Sequence, residues 1–178
     1  WIIGGSTTLN FNSSKTTIKS NGVSADNQKI TNLTLTPSFG YFVINNLAVG
    51  MDLEFTSQKT KEYDNYGGNY VDVKNTVFAV IPSATYYFST DSKAFPYIGA
   101  GAGYAAAKAK VASTEVQNNN LFAWKVKGGV SYMITNDISV DFGLNYNQLS
   151  TKINDSSPEV KAINKSFGAS LGFNIFLN

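Results

Sequence analysis

Apolar and polar residues alternate with a period of two along most of the chain, most plainly between residues 33 and 56. Leu33, Leu35, Pro37, Phe39, Tyr41 and Val43 share one parity, and Thr34, Thr36, Ser38 and Gly40 the other. The chain then reverses at Ile44-Asn45-Asn46, where asparagine tolerates left-handed backbone angles. Leu47, Val49, Met51, Leu53 and Phe55 resume on one face against Ala48, Gly50, Asp52, Glu54 and Thr56 on the other. A period of two is the strand period, so the stretch predicts two strands joined by a tight turn. Each apolar face stays uncharged for roughly ten residues, the 9–11 that a tilted strand needs to cross a bilayer.

The same unit recurs. Trp1 to Phe11 alternates Trp1, Ile3, Leu9 and Phe11 with Ile2, Gly4, Ser6 and Thr8. Further strands are predicted at about Val73 to Phe88, Pro96 to about Ala107, Leu121 to Ile134, Ile138 to Tyr146, and Phe167 to Leu177. Ser89 to Ala94 and Thr135-Asn136-Asp137 read as short turns. Four polar segments read as long loops: Asn12 to about Thr31, Lys59 to Asp72, Lys108 to Asn120, and Ser150 to Asn164, the last containing the strand-hostile Pro158. Gly40-Tyr41-Phe42-Val43-Ile44-Asn45-Asn46-Leu47 repeats the pattern of Ser131-Tyr132-Met133-Ile134-Thr135-Asn136-Asp137-Ile138. The repeating unit is therefore a hairpin. Eight strands with short turns at one end and long connections at the other let a sheet close on itself.

The apolar parity is expected to face outward, into lipid. Charges within the strand bodies (Asp52, Glu54, Lys125, Lys127 and Asp141) all lie on the opposite parity. That parity is rich in Gly, Ala, Ser, Thr and Asn, which would bury little apolar area at ~25 cal/mol per Å². Aromatics gather near both ends of the apolar face: Tyr41, Tyr86, Phe88 and Tyr132 by the short turns, and Phe55, Trp124 and Tyr146 by the loops. Two bilayer interfaces favour that arrangement, an aromatic girdle. A charge facing lipid at mid-depth would cost about 2–4 kcal/mol. An open sheet edge there would leave amides unpaired, so closure is required. The expected fold is all-β: an eight-stranded antiparallel up-and-down transmembrane β-barrel, one domain over residues 1–178, with short periplasmic turns and four long extracellular loops.

Composition narrows the chemistry. The 178 residues contain no cysteine and no histidine, which removes disulfides, thiolate metal sites and the commonest general base. Only 15% of residues are charged and the net charge is +2, too little for a nucleic-acid-binding patch. No apolar run approaches the ~18 residues of a membrane-spanning helix. The chain opens at Trp1 already in strand pattern, so a processed or trimmed chain is expected.

With these features the chain resembles the small outer-membrane β-barrels of the OmpA/OmpX kind. The resemblance rests on Gly40 to Gly50, on Pro96-Tyr97-Ile98-Gly99-Ala100-Gly101-Ala102-Gly103-Tyr104, and on the closing strand. In that strand Ser170, Gly172, Phe173, Ile175 and Leu177 look like the family's assembly signal, with Leu177 where the final aromatic usually stands and Phe176 beside it. The resemblance implies a non-enzymatic integral barrel of the bacterial outer membrane that anchors surface loops for envelope integrity, adhesion or surface interaction. It also implies contact with outer-membrane lipid, lipopolysaccharide and the assembly machinery, and a monomer.

Several residues invite other readings. Asp52, Glu54, Lys125, Lys127 and Asp141 are expected to pair in a packed lumen, since an eight-stranded barrel is just wide enough to be filled by side chains; a gate of switchable ion pairs is the rival. Gly99, Gly101 and Gly103 miss the G-x-G-x-x-G pattern, because Tyr stands at 104, and make room for interior neighbours instead. Glu62, Asp64, Asp72, Asp155 and Glu159 lack the dense spacing of a calcium site. Tyr63, Tyr66 and Tyr70 suit a recognition surface. Lys15, Lys19, Lys29, Lys59, Lys61, Lys108 and Lys110 are placed to meet anionic lipid. No catalytic residue, metal or cofactor is expected. The alternatives are a narrow channel for small or hydrophobic solutes and a soluble lipid-binding barrel. A lipid A-modifying enzyme in this architecture resembles Ser/His chemistry, which a chain without histidine lacks.

Overall fold

The computed structural model describes residues 1–18, 24–25, 29–63, 70–111, 114–153 and 160–177, with side chains at 1–8, 33–57, 74–108, 120–151 and 163–177. Among these residues eight long strands run in chain order: β1 (Ile2–Ile18), β2 (Lys29–Ile44), β3 (Leu47–Tyr63), β4 (Tyr70–Tyr87), β5 (Ala94–Val111), β6 (Thr114–Met133), β7 (Ile138–Ile153) and β8 (Val160–Phe176). Each pairs antiparallel with the next. β1 also pairs with β8, from Ile2↔Phe176 to Ile18↔Val160, and the sheet closes. A two-residue bridge, Ser24–Ala25, adds to β1 opposite Thr16 and Thr17.

The short turns form where the sequence predicts them. Asn46 takes a left-handed φ of 71°, a conformation asparagine accepts more readily than most residues. Ile134 N–H donates to the Ile138 carbonyl at 2.8 Å and closes the β6–β7 turn. Pro37 and Pro82 lie inside strands. Each keeps its partner on one side, Gly5 and Met51 respectively. On the other side the ladder skips it, from Leu35↔Phe55 to Ser38↔Asp52 and from Val80↔Tyr104 to Ser83↔Gly101. The missing proline N–H explains both gaps. Near the second gap, a Cβ on Gly103 would collide with the Val80 carbonyl and lie 2.9 Å from the Ile81 Cα. Only glycine lets β4 and β5 approach so closely.

The wall has the expected polarity. Phe142 is 60% exposed and Phe173 55%, whereas Asp52 is 3% and Lys125 5% exposed. Val49 is exposed as well. A soluble lipid-binding barrel would enclose these apolar residues, so the facing excludes it.

Two expectations need correction. The four polar segments are not irregular loops through most of their length. β1 and β2 extend through Asn12–Ile18 and Lys29–Thr31. β3 and β4 cover Lys59–Tyr63 and Tyr70–Asp72, and β5 with β6 covers nearly all of Lys108–Asn120. β7 runs to Ile153 and β8 begins at Val160, while Tyr66 and Pro158 lie outside the described residues. The ladder is made by backbone groups and continues beyond the bilayer, where neither face needs to be apolar. With both faces polar, the alternation that marks a strand disappears. The inward parity is also less uniformly polar than expected. Ala79, Ile81, Ala105 and Ala123 form a buried cluster inside β4, β5 and β6, packed by Val77, Leu121 and Leu149.

Candidate functional site

The lumen is filled in layers. Beside the apolar cluster lies an ionic layer built by β3 and β6. Inward parity places Asp52 and Glu54 on one wall and Lys125 and Lys127 across from them. Lys125 Nζ sits 2.6 Å from Asp52 Oδ2 and 2.8 Å from Glu54 Oε1, and Lys127 Nζ lies 3.2 Å from Asp52 Oδ2. Lys125 thus bridges two carboxylates, and Asp52 holds two ammonium groups. Pairing and short hydrogen bonds offset the cost of removing these charges from water.

Asp141, the fifth predicted charge, joins no ion pair among the described residues. Its Oδ1 accepts from Ser131 Oγ at 2.7 Å and from Ser139 Oγ at 2.8 Å, and its Oδ2 accepts from Asn174 Nδ2. β6, β7 and β8 are adjacent, so these four side chains meet on one inner wall. Three donors around one carboxylate satisfy it without a cation. Asp141→Leu should therefore lower stability by about 1–3 kcal/mol, since it strands three buried donors. Asp141→Asn should cost less. Urea unfolding of the two variants in micelles, compared with the native chain, checks both.

Four inward aromatics lie at the turn end. Phe42, Tyr87, Tyr97 and Phe176 form a chain with ring centroids 5.9–6.2 Å apart. This floor was absent from the sequence reading, although a signal existed: each of the four is an aromatic on the polar parity, next to a short turn or the last strand's end. Phe176 packs inward here, so it does not replace the outward aromatic at the end of the assembly signal. Phe173 and Leu177 are exposed on the outward face, Ile175 shares their parity, and Ser170 and Gly172 lie on the inward parity.

Between floor and ionic layer lies a polar cavity of about 90 Å³, lined by residues that include Ser38, Asp52, Lys127, Asp141, Asn145 and Asn147. That is space for a few waters rather than for a solute. Asn145 Oδ1 and Asn147 Oδ1 are buried without a hydrogen-bond partner among the described residues, so water is their natural donor. No group of three or more acidic side chains capable of holding a metal is present among the described residues.

Outside, the predicted girdle residues form ring contacts. Tyr41 meets Trp1 at 5.0 Å, Tyr86 meets Phe88 at 5.1 Å, Phe55 meets Phe78 at 4.8 Å and Trp124 meets Tyr146 at 5.4 Å. Tyr132 is exposed as well. Lys74, Lys108 and Lys165 are exposed beyond the loop-side aromatics.

The family described as outer membrane protein beta-barrel domain matches residues 3–174 of the chain. No curated protein sequence matches it. Among solved structures, Neisserial surface protein A is similar at 25% identity with a TM-score of 0.66, covering 99% of this chain and 96% of that one. OprG from Pseudomonas aeruginosa is similar in fold at 18% identity and a TM-score of 0.58, covering 99% and 95%. The outer membrane enzyme PagL shares the fold at 14% identity and a TM-score of 0.53, covering 98% and 99%.

Proposed function

Because this chain belongs to the outer membrane protein β-barrel domain family, we propose that it is a non-enzymatic integral protein of the bacterial outer membrane that anchors surface hairpins. It acts in envelope integrity or in contacts at the cell surface. The observation that carries the reading is the combination of a plugged lumen with strands that continue far beyond the apolar band at one end. β3 and β4, for example, stay paired from Leu47↔Tyr86 to Tyr63↔Tyr70. Material for contact is thus built outside the bilayer, while the interior is closed by aromatic, ionic and apolar layers. Similarity to a Neisserial surface protein supports the surface role.

The enzyme reading rests on the shared fold with PagL, and fold alone does not carry chemistry. A sequence without histidine lacks the usual base of serine hydrolysis. The channel reading has one observation in its favour, the polar cavity of about 90 Å³. Against it stand the aromatic floor below the cavity and the ion pairs beside it.

Two measurements test the proposal together. Intact cells expressing the protein should lose its hairpin tips to added protease while the folded barrel stays in the outer-membrane fraction. The purified barrel should be electrically silent in planar bilayers. Regular conductance steps would favour the channel, and protease-resistant hairpins on intact cells would remove the surface role. Contacts with the assembly machinery and a monomeric state belong to the same proposal.

A further inference from the structure

Three of the four floor rings hold one another. Phe42, Tyr87 and Phe176 form a closed triangle with centroids 5.9, 6.1 and 6.2 Å apart. Tyr97 stands outside it and, among the described rings, meets Tyr87 alone, at 5.9 Å. Its other side faces glycine. Tyr97, Gly129 and Gly143 are register partners on β5, β6 and β7, a span of about 10 Å across two strand spacings. A Cβ on Gly129 would lie 2.9 Å from the Tyr97 hydroxyl, and one on Gly143 would collide with that hydroxyl. The ring is therefore laid along the wall, over both glycines. The two atoms nearest a Gly143 Cβ are the ends of flexible side chains, the Tyr97 hydroxyl and Ser170 Oγ. Glycine at 143 thus serves the ring rather than the backbone.

We propose that Tyr97 is a side gate at the turn end of the lumen. When its ring leaves the bed of Gly129 and Gly143, the polar cavity opens toward the turn-side solvent and exchanges water and small cations with it. Tyr97 lines that cavity and is half-buried. One ring contact governs a population change of about tenfold, whereas each ring of the triangle is held by at least two, so the floor opens first at Tyr97. Asp141, which also lines the cavity, stands two residues from Gly143 on the same wall, toward the β6–β7 turn. Among the described side chains the charges in the lumen are the carboxylates of Asp52, Glu54 and Asp141 and the ammonium groups of Lys125 and Lys127. The excess is negative, so the ion favoured is a cation. Space for a few waters admits a monovalent ion and excludes larger solutes. The ion pairs and the apolar cluster still close the lumen on the loop side, so exchange at this end leaves the barrel electrically silent.

The test uses the full barrel folded in phosphocholine nanodiscs. The chain has no cysteine, so Ser38→Cys places a single thiol on the cavity wall. Silver ion in chloride-free buffer is the cationic probe and dicyanoaurate the anionic one, each rate being divided by the rate on the unfolded chain. Tyr97→Ala should speed silver modification about tenfold. Gly143→Ala, whose methyl displaces the Tyr97 hydroxyl, should speed it as well. Tyr97→Phe removes the displaced atom, so adding it to Gly143→Ala should return the rate to that of Ser38→Cys alone. Dicyanoaurate should lag behind silver throughout. A silver rate that Tyr97→Ala leaves unchanged overturns the proposal, because the barrier then lies elsewhere. A Gly143→Ala effect that Tyr97→Phe does not reverse belongs to the wall and overturns the role of Tyr97. Dicyanoaurate reacting as fast as silver overturns the cation preference. If Tyr97→Ala does not fold, the Gly143→Ala and Tyr97→Phe series decides alone, and Ser83→Cys, on the same cavity, replaces a Ser38→Cys chain that does not fold.

Discussion

Lys125→Met should lower the unfolding free energy by about 3–5 kcal/mol, the scale on which removing one partner leaves buried opposite charges uncompensated. Lys125 is the bridge between Asp52 and Glu54, at 2.6 and 2.8 Å. Its loss leaves Asp52 with Lys127 at 3.2 Å and Glu54 with no cation among the described residues. Desolvation of the stranded carboxylates then opposes folding with little Coulomb gain to offset it. Adding Glu54→Gln to Lys125→Met should recover part of the loss, because the uncompensated charge is gone while the side chain keeps its shape. Equilibrium unfolding in urea, followed by the heat-modifiable gel shift, gives the three stabilities. A Lys125→Met barrel as stable as the native one would show that the ionic layer is solvated rather than sealed.

The second large effect lies on the other side of the wall. Phe142 is 60% exposed in the middle of the apolar stretch of β7, between Ile138 at the turn and Tyr146 at the girdle. Phe142→Arg should cost about 2–4 kcal/mol in the bilayer, falling to ~0–1 kcal/mol for an arginine placed at an interface position such as Tyr146. Phe142→Leu should be nearly neutral. Folding yield into lipid vesicles is the measurement. Equal yields for Phe142→Arg and Phe142→Leu would contradict the outward facing of the apolar parity.

These two substitutions mark how far reading the residues carries. Phe142 could be placed on lipid from alternation alone, because a strand has only two faces and a charge on the wrong one is expensive. The charged set in the lumen could be named the same way. Its pairing could not: Lys125 and Asp52 are far apart in sequence, and which carboxylate Lys125 meets depends on closure and shear. Asp141 makes the point from the other direction. It shares a parity with the ion-pair residues, yet Ser131, Ser139 and Asn174 from its neighbouring strands satisfy it instead. The loops were overestimated for a related reason. Outside the bilayer the backbone ladder persists while the side-chain pattern that reveals it does not.

The sequence by itself determined the strand number, the turns and which residues share each apolar face, since a period of two gives a strand only two faces, and the cost of a charge or an unpaired amide in hydrocarbon favoured the outward direction that the structure then showed. Only the tertiary structure decided the contents of the tube. The floor joins Phe42, Tyr87, Tyr97 and Phe176 from four strands, and the ion pairs join Asp52 and Glu54 of β3 to Lys125 and Lys127 of β6. Both depend on how far each strand is displaced along its neighbour, and that displacement is set by closing the sheet as a whole, not by any one strand.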